Sequence, residues 1–359
     1  MLTHAPRFQS LRSAASLVGC VLCLAASQTL AVAPSNPEAS EDAVALLAYL
    51  NELSSRPFRG VIAGQNLGHG TEVHEKYRDY VVALHERTGK WIGLLGLDYE
   101  FIRGYSAKEL RKANEVLIAH WEEGGLVTVN ATPVNPFHPK GNVFKTEDVD
   151  LRVLLESGHL KHRAWMRTLD RWADALAGLR DAGVVVLWRP MQEPNGKHFW
   201  YGLKAAANED GQQYKRLWRH MHHYFTNERG LDNLLWVYSP LGGGSDQCYP
   251  GSDVVDVIAG TSYDKNLTIW GYDRAIQYGK PVGMGEWGHH IDHAAGDFEM
   301  RRYLERVRDD YPRLAYWVSW HSWGENNQMA IIHNDNAVEL MNDPGLITRD
   351  EIDWRDGDE

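Results

Sequence analysis

Short apolar runs alternate with longer amphipathic stretches along most of this chain. The runs cover residues 60–65, 91–98, 126–130, 184–189, 233–238, 254–261, 281–286 and 314–320. Near-continuous apolarity over so few residues marks a strand buried on both faces, as in a parallel sheet. Helical periodicity fills 106–123, 161–182, 212–228, 273–278 and 297–309. Strands alternating with helices predict βα units, and eight of them in about 330 residues predict a single (β/α)8 barrel. The link at 239–253 is Gly- and Pro-rich and too short for a full helix. Residues 133–158 form a long loop after the third strand, and such loops in compact domains are usually functional.

The beginning of the chain reads differently. The first 33 residues carry Arg7 and Arg12 and no acid, with an apolar run over 14–26 and small residues near Thr29-Leu30-Ala31. That is the pattern of a secretory signal peptide, and the run is too short for a membrane span. Leu17-Val18-Gly19-Cys20 resembles a lipoprotein processing site, although it lies inside the run rather than at its end. The expected organisation is a leader over 1–31, a linker and N-terminal helix over 32–58, and a barrel over 59–359. The expected location is secreted or periplasmic. Cys20 and Cys23 leave with the leader, so Cys248 stands alone and no intramolecular disulfide forms.

Charge narrows the partners. There are 37 Lys and Arg against 48 Asp and Glu, a net −11, which becomes −13 once Arg7 and Arg12 are removed. That sign opposes nucleic-acid phosphates. No further stretch reaches membrane length. The 14 Trp and 16 Tyr against 8 Phe leave two readings open: a Trp-rich core, or an aromatic groove for a flat hydroxylated ligand.

A barrel carries its active site at the C-terminal ends of its strands. The polar residues there include Gln65, Asp98, Tyr99, Glu100, Asn130, Thr132, Arg189, Gln192, Tyr263, Asp264, Trp320 and His321. Two glutamates stand out. Glu193 follows the fourth strand between Pro190 and Pro194, with aromatic Phe199-Trp200-Tyr201 just beyond. Glu286 ends the seventh strand beside Trp287. Strands four and seven lie three apart in a ring of eight, so their ends face each other across the mouth. Paired carboxylates so placed suit glycoside hydrolysis: one donates a proton to the leaving oxygen, and the other attacks the anomeric carbon or activates water. Apolar neighbours raise a Glu pKa and an Arg partner lowers it, so Arg189 would hold one of the two ionised. The structural alternative makes both glutamates salt-bridge partners.

These residues resemble glycoside hydrolase family 26, mostly endo-β-mannanases within the clan of retaining (β/α)8 hydrolases. The fourth-strand block runs Arg189-Pro190-Met191-Gln192-Glu193-Pro194-Asn195-Gly196-Lys197-His198-Phe199-Trp200-Tyr201-Gly202, and the seventh-strand block is Glu286-Trp287-Gly288. Gly64-Gln65, Gly96-Leu97-Asp98-Tyr99, Tyr249-Pro250-Gly251 and Asn342-Asp343-Pro344 are similar too. The resemblance implies that Glu193 is the acid/base and Glu286 the nucleophile. It implies that Tyr263 hydrogen-bonds the nucleophile, Trp320 floors the cleaved sugar, and Arg189 orients the carboxylates. Asp98, Thr132, Gln192, Asn195, His198, Trp200 and Trp287 complete the expected substrate-binding set. No cofactor is implied.

Three positions depart from the family pattern. Gln192 replaces a His before the acid/base, Ala131-Thr132 replaces Trp-His after strand three, and His198 replaces a Trp. They leave both glutamates intact and bear on the choice of sugar. A β-linked polysaccharide or oligosaccharide is the expected partner, with β-1,4-mannan first. β-1,3-xylan, mixed-linkage glucan and bacterial exopolysaccharide are the alternatives. An inactive carbohydrate-binding barrel is a further reading. Two histidine groups, His220/His222/His223 and His289/His290/His293, raise a metal-dependent hydrolase. Neither has a Cys or close carboxylate to complete a ligand set, so no metal is expected.

Overall fold

A computed structural model describes Met1 and residues 32–355, apart from 56–57, 70–71, 102, 141–142, 207 and 290–293. The segment expected to be a leader, Cys20 included, lies outside the described residues apart from Met1.

Eight strands form one parallel ring: β1 (Val61–His69), β2 (Leu94–Asp98), β3 (Leu126–Ala131), β4 (Val186–Pro190), β5 (Leu234–Tyr238), β6 (Val257–Tyr263), β7 (Val282–Gly288) and β8 (Leu314–Ser319). They pair in chain order from β2 to β8, β8 pairs with β1, and β1 returns to β2, closing the barrel. A short β9 (Leu346–Ile347) adds to the start of β1. Each apolar run of the sequence becomes a strand. In β2 through β5 every residue is buried, as expected where the barrel interior covers one face and helices the other.

The helices at Ala107–Glu122, Leu160–Arg180, 212–228, Tyr272–Gln277 and Arg301–Asp309 lie where periodicity places them. Ser106 opens the first of these with a capping box: its hydroxyl accepts from the Glu109 amide at 3.3 Å, and its own amide donates back to Glu109 at 2.7 Å. The helix over 73–88 goes unmarked in the sequence. It starts on Glu72 without a side-chain cap and passes through a π stretch at Tyr77–Val82, so both its start signal and its 3.6-residue period are weak.

The helix Glu41–Ser55 buries Leu46, Leu47, Leu50 and Leu53 and touches both β5 and β8. These strands lie three apart, so the helix spans the N-terminal end of the barrel. Ser54 fixes it there: the Val282 amide donates to its hydroxyl at 2.9 Å, and Arg313 donates to its carbonyl at 2.6 Å.

Tryptophan builds the core. Eight of the 14, among them Trp165, Trp172, Trp188, Trp218 and Trp236, are less than 2% exposed. They meet edge to face, Trp165 on Trp172 and Trp172 on Trp188, in the layer between sheet and helices. Cys248 is buried too. Among the described residues no helix is long and apolar enough to cross a membrane.

Candidate active site

The C-terminal ends of β4 and β7 bring the two glutamates to one mouth. Arg189, one residue before the end of β4, donates to Glu286 Oε1 at 2.6 Å and to Ser239 Oγ at 3.0 Å. Tyr263, the last residue of β6, donates to Glu286 Oε2 at 3.1 Å. Both carboxylate oxygens of Glu286 are thus held by donors.

A β-bulge makes this possible. Gly260 pairs with Met284 and Thr261 with Glu286, leaving Gly285 as the extra residue. A Cβ on Gly285 would stand 2.5 Å from Arg189 Cδ and 3.0 Å from the Ala259 carbonyl. Only glycine lets the Arg189 side chain cross to Glu286. Gly285→Ala is therefore expected to cost about 1–3 kcal/mol, as overpacking does, and to lower kcat as Arg189 is displaced. Urea unfolding and steady-state kinetics check both.

Burial pushes the Glu286 carboxyl up; Arg189 opposes, Glu193 adds to the rise, and the pKa stands at about 7. Asp98 adds a further rise, and the charge and hydrogen bond of Arg189 oppose the desolvation in favour of the carboxylate. Tyr263 is raised well above its ordinary value by burial and by Glu286, so it stays a donor. For Arg189, burial works against the cation and the Glu286 carboxylate outweighs it, leaving its pKa raised.

Glu193 sits at φ +55° and Met191 at φ +52°, left-handed conformations that cost a non-glycine residue about 1–3 kcal/mol each. The fold imposes them. The Glu193 amide donates to the Ser239 carbonyl at 2.7 Å, and the Tyr214 hydroxyl donates to the Met191 carbonyl at 3.1 Å. Asn195 locks the turn onto the next loop, donating to the Leu241 carbonyl at 3.0 Å and accepting from its amide at 2.7 Å. Its side chain is spent on this clamp.

Gln192 and Thr132 meet each other. The Thr132 hydroxyl lies 2.9 Å from Gln192 Oε1 and 2.7 Å from Nε2, and both residues are buried. Two of the three departures from the family pattern are therefore one coupled change. The third, His198, places Nε2 at 2.5 Å from Glu193 Oε2.

The remaining expected residues divide. Trp320 is 9% exposed and packs with Ala294, Met329 and Tyr263, and the Arg189 guanidinium lies 5.9 Å from its ring centre. Asp98 is fully buried and pairs with His69 Nδ1 at 3.1 Å. Trp200 and Trp287 do not reach the cleft. Trp287 alternates outward from Glu286 and packs on Tyr303, Tyr311 and Trp317. Trp200 is covered by the 133–158 loop, donating to the Pro133 carbonyl at 2.7 Å while its amide bonds to Val143. Both are fully buried, so neither offers a face to a ligand.

That loop instead delivers Phe144, 52% exposed, against Phe101, Phe199 and His198. Phe144 and His69 had no mark in the sequence beyond their positions. Ser239 had one: it directly follows the fifth strand. Of the histidine groups, His222 turns inward to Ser35 at 3.1 Å, and burial lowers its pKa to about 4. His290 and His293 lie outside the described residues. Among the described residues no three His, Cys, Asp or Glu side chains are grouped to hold a metal ion.

A parallel barrel with two carboxylates at its C-terminal mouth, one bracketed by Arg and Tyr, has the architecture of a glycoside-hydrolysing enzyme. Comparison with known proteins agrees. Residues 35–351 match the model of glycosyl hydrolase family 26. Mannan endo-1,4-beta-mannosidase A and B of Caldalkalibacillus mannanilyticus is 33% identical over 346 residues, covering 91% of this chain and 64% of that relative's length. Mannan endo-1,4-beta-mannosidase of Bacillus subtilis is 30% identical over 340 residues, 91% of each chain. The solved structure of Bacillus subtilis mannanase man26 superposes with a TM-score of 0.77 at 26% identity, covering 89% of this chain and 95% of that one. The chain belongs to glycosyl hydrolase family 26, enzymes that act on O-glycosyl bonds.

Proposed function

We propose that this protein is a secreted endo-β-1,4-mannanase that cleaves with retention, using Glu286 as nucleophile and Glu193 as acid/base. The observation that carries the assignment is the bracket on Glu286. Arg189 and Tyr263 stabilise its carboxylate, orient it and leave it ready to attack. Glu193 sits across the mouth on a strained turn. In the first step a Glu286 oxygen bonds to the anomeric carbon, the glycosidic C–O bond breaks, and the Glu193 proton passes to the leaving oxygen. In the second, water gives a proton to the Glu193 carboxylate, its oxygen bonds to the anomeric carbon, and the Glu286 ester breaks. The names of the curated relatives support mannan as substrate. The leader composition supports export.

The test is reducing-sugar release from mannan, galactomannan, glucomannan, β-1,3-xylan, mixed-linkage glucan and chitosan, with Glu286→Gln as the blank. Release from the mannans that the variant lacks is expected. Release from xylan or mixed-linkage glucan alone would contradict the substrate, and release from none would contradict the enzyme.

A pH dependence follows. The two carboxyls must carry one proton between them for the first step. Burial and the neighbouring Glu193 charge raise the Glu286 carboxyl to about 7, so the last proton held by the pair is present below about 7 and lost above it. On mannan, kcat/KM is expected to fall tenfold per pH unit above that value; a pH–rate profile checks it.

A further inference from the structure

Between Glu193 and His198 the chain doubles back. The Gly196 amide donates to the Glu193 carbonyl at 2.9 Å, and a Cβ on Gly196 would stand 2.8 Å from the His198 ring. This tight turn delivers His198 Nε2 to 2.5 Å from Glu193 Oε2, a direct ion-pair contact. The imidazole lies on the solvent side, with its side chain 40% exposed against 12% for Glu193. Phe199 packs beside it at 4.4 Å between ring centres.

The other groups facing Glu193 are Arg189 from β4, Glu286 from β7, Tyr263 from β6 and Tyr201 from its own loop. Arg189 and Tyr263 direct their donors to Glu286 and Ser239. Tyr201 donates to the Gln192 carbonyl. His198 is the group that addresses the Glu193 carboxylate itself.

We propose that His198 is a positioning residue for the acid/base: it shares one proton with Glu193 across this contact and stores that proton between turnovers. The proposal rests on the hydrolase reading and deepens it. Moving the proton between Oε2 and Nε2 leaves the net charge of the pair unchanged, so either atom can hold it between turnovers. When the leaving oxygen takes the proton from Glu193, the pair is left with carboxylate and neutral imidazole. The attacking water then returns a proton to Glu193, and His198 ends each turnover as it began.

Two variants test this, His198→Gln and His198→Trp, the second restoring the residue of the family pattern. In both, the basic limb of kcat/KM on mannan is expected to move to lower pH by about one unit, the low end of the effect of a close charge pair. On an aryl glycoside with an activated leaving group, which needs no acid, the first step should not move. Independently of activity, the 15N shift of His198 Nε2 in the full chain should change between the parent and Glu193→Gln. Basic limbs that stay in place in both variants overturn the proposal, and so does an unchanged nitrogen shift. If the parent cuts no glycan, the hydrolase reading fails, and the nitrogen shift alone then decides whether the proton is shared.

Discussion

Replacing Glu286 by Gln is expected to lower kcat on mannan by at least about 10⁴-fold, the scale seen when a covalent nucleophile is removed. The amide has nearly the same shape, so the cleft keeps its form, but it has no charge with which to attack carbon. Its oxygen still accepts from Arg189. The guanidinium, only 2% exposed, nevertheless loses its counter-charge. Breaking a buried pair costs about 3–5 kcal/mol when one partner is removed outright, and an amide that keeps one hydrogen bond should cost less. Calorimetry on the variant should therefore show retained oligosaccharide binding. A folded variant that turns over mannan at a tenth of the parental rate would remove Glu286 from the nucleophile's role.

Replacing Glu193 by Gln is expected to have the second largest effect, and an unequal one. A positioned general acid contributes about 10²–10⁴-fold, and polysaccharide hydrolysis should fall by that much. An aryl mannoside with a good leaving group departs without a proton, so its first step should be nearly spared. Its second step still needs a base to deprotonate water, so a glycosyl-enzyme should accumulate and give a burst. Added azide, a nucleophile that needs no base, should relieve it. The left-handed turn at Glu193 is imposed by its backbone, so the variant should keep its thermal stability within a few degrees. Equal loss on both substrates would argue for a binding role instead.

The strands were legible because a barrel strand is buried on both faces. Leu94–Asp98 and Leu234–Tyr238 read as apolar runs with polar ends, and that is how they fold. Glu193 and Glu286 were legible for a related reason: Pro and Gly stop each strand just where a carboxylate appears. What escaped depends on tertiary contacts. The outward turn of Trp287 follows strand alternation, but proximity to Glu286 suggested a ligand contact. Trp200 is buried by a loop more than forty residues earlier in the chain, and sequence spacing carries no trace of that. The bulge at Gly285 is set by how β6 pairs with β7. The Gln192–Thr132 pair joins residues from two strand ends, so each departure looked independent until the fold joined them. His198 is five residues from Glu193 and reaches it only because the chain turns back at Gly196.

The most direct test of the central claim is to trap the covalent intermediate. The protein would be incubated with a 2-deoxy-2-fluoro manno-oligosaccharide fluoride, digested, and mapped by mass spectrometry. The expected result is one glycosyl adduct on the peptide carrying Glu286, absent from Glu286→Gln. An adduct on the Glu193 peptide, or mannan hydrolysis that proceeds with inversion and no adduct at all, would contradict it.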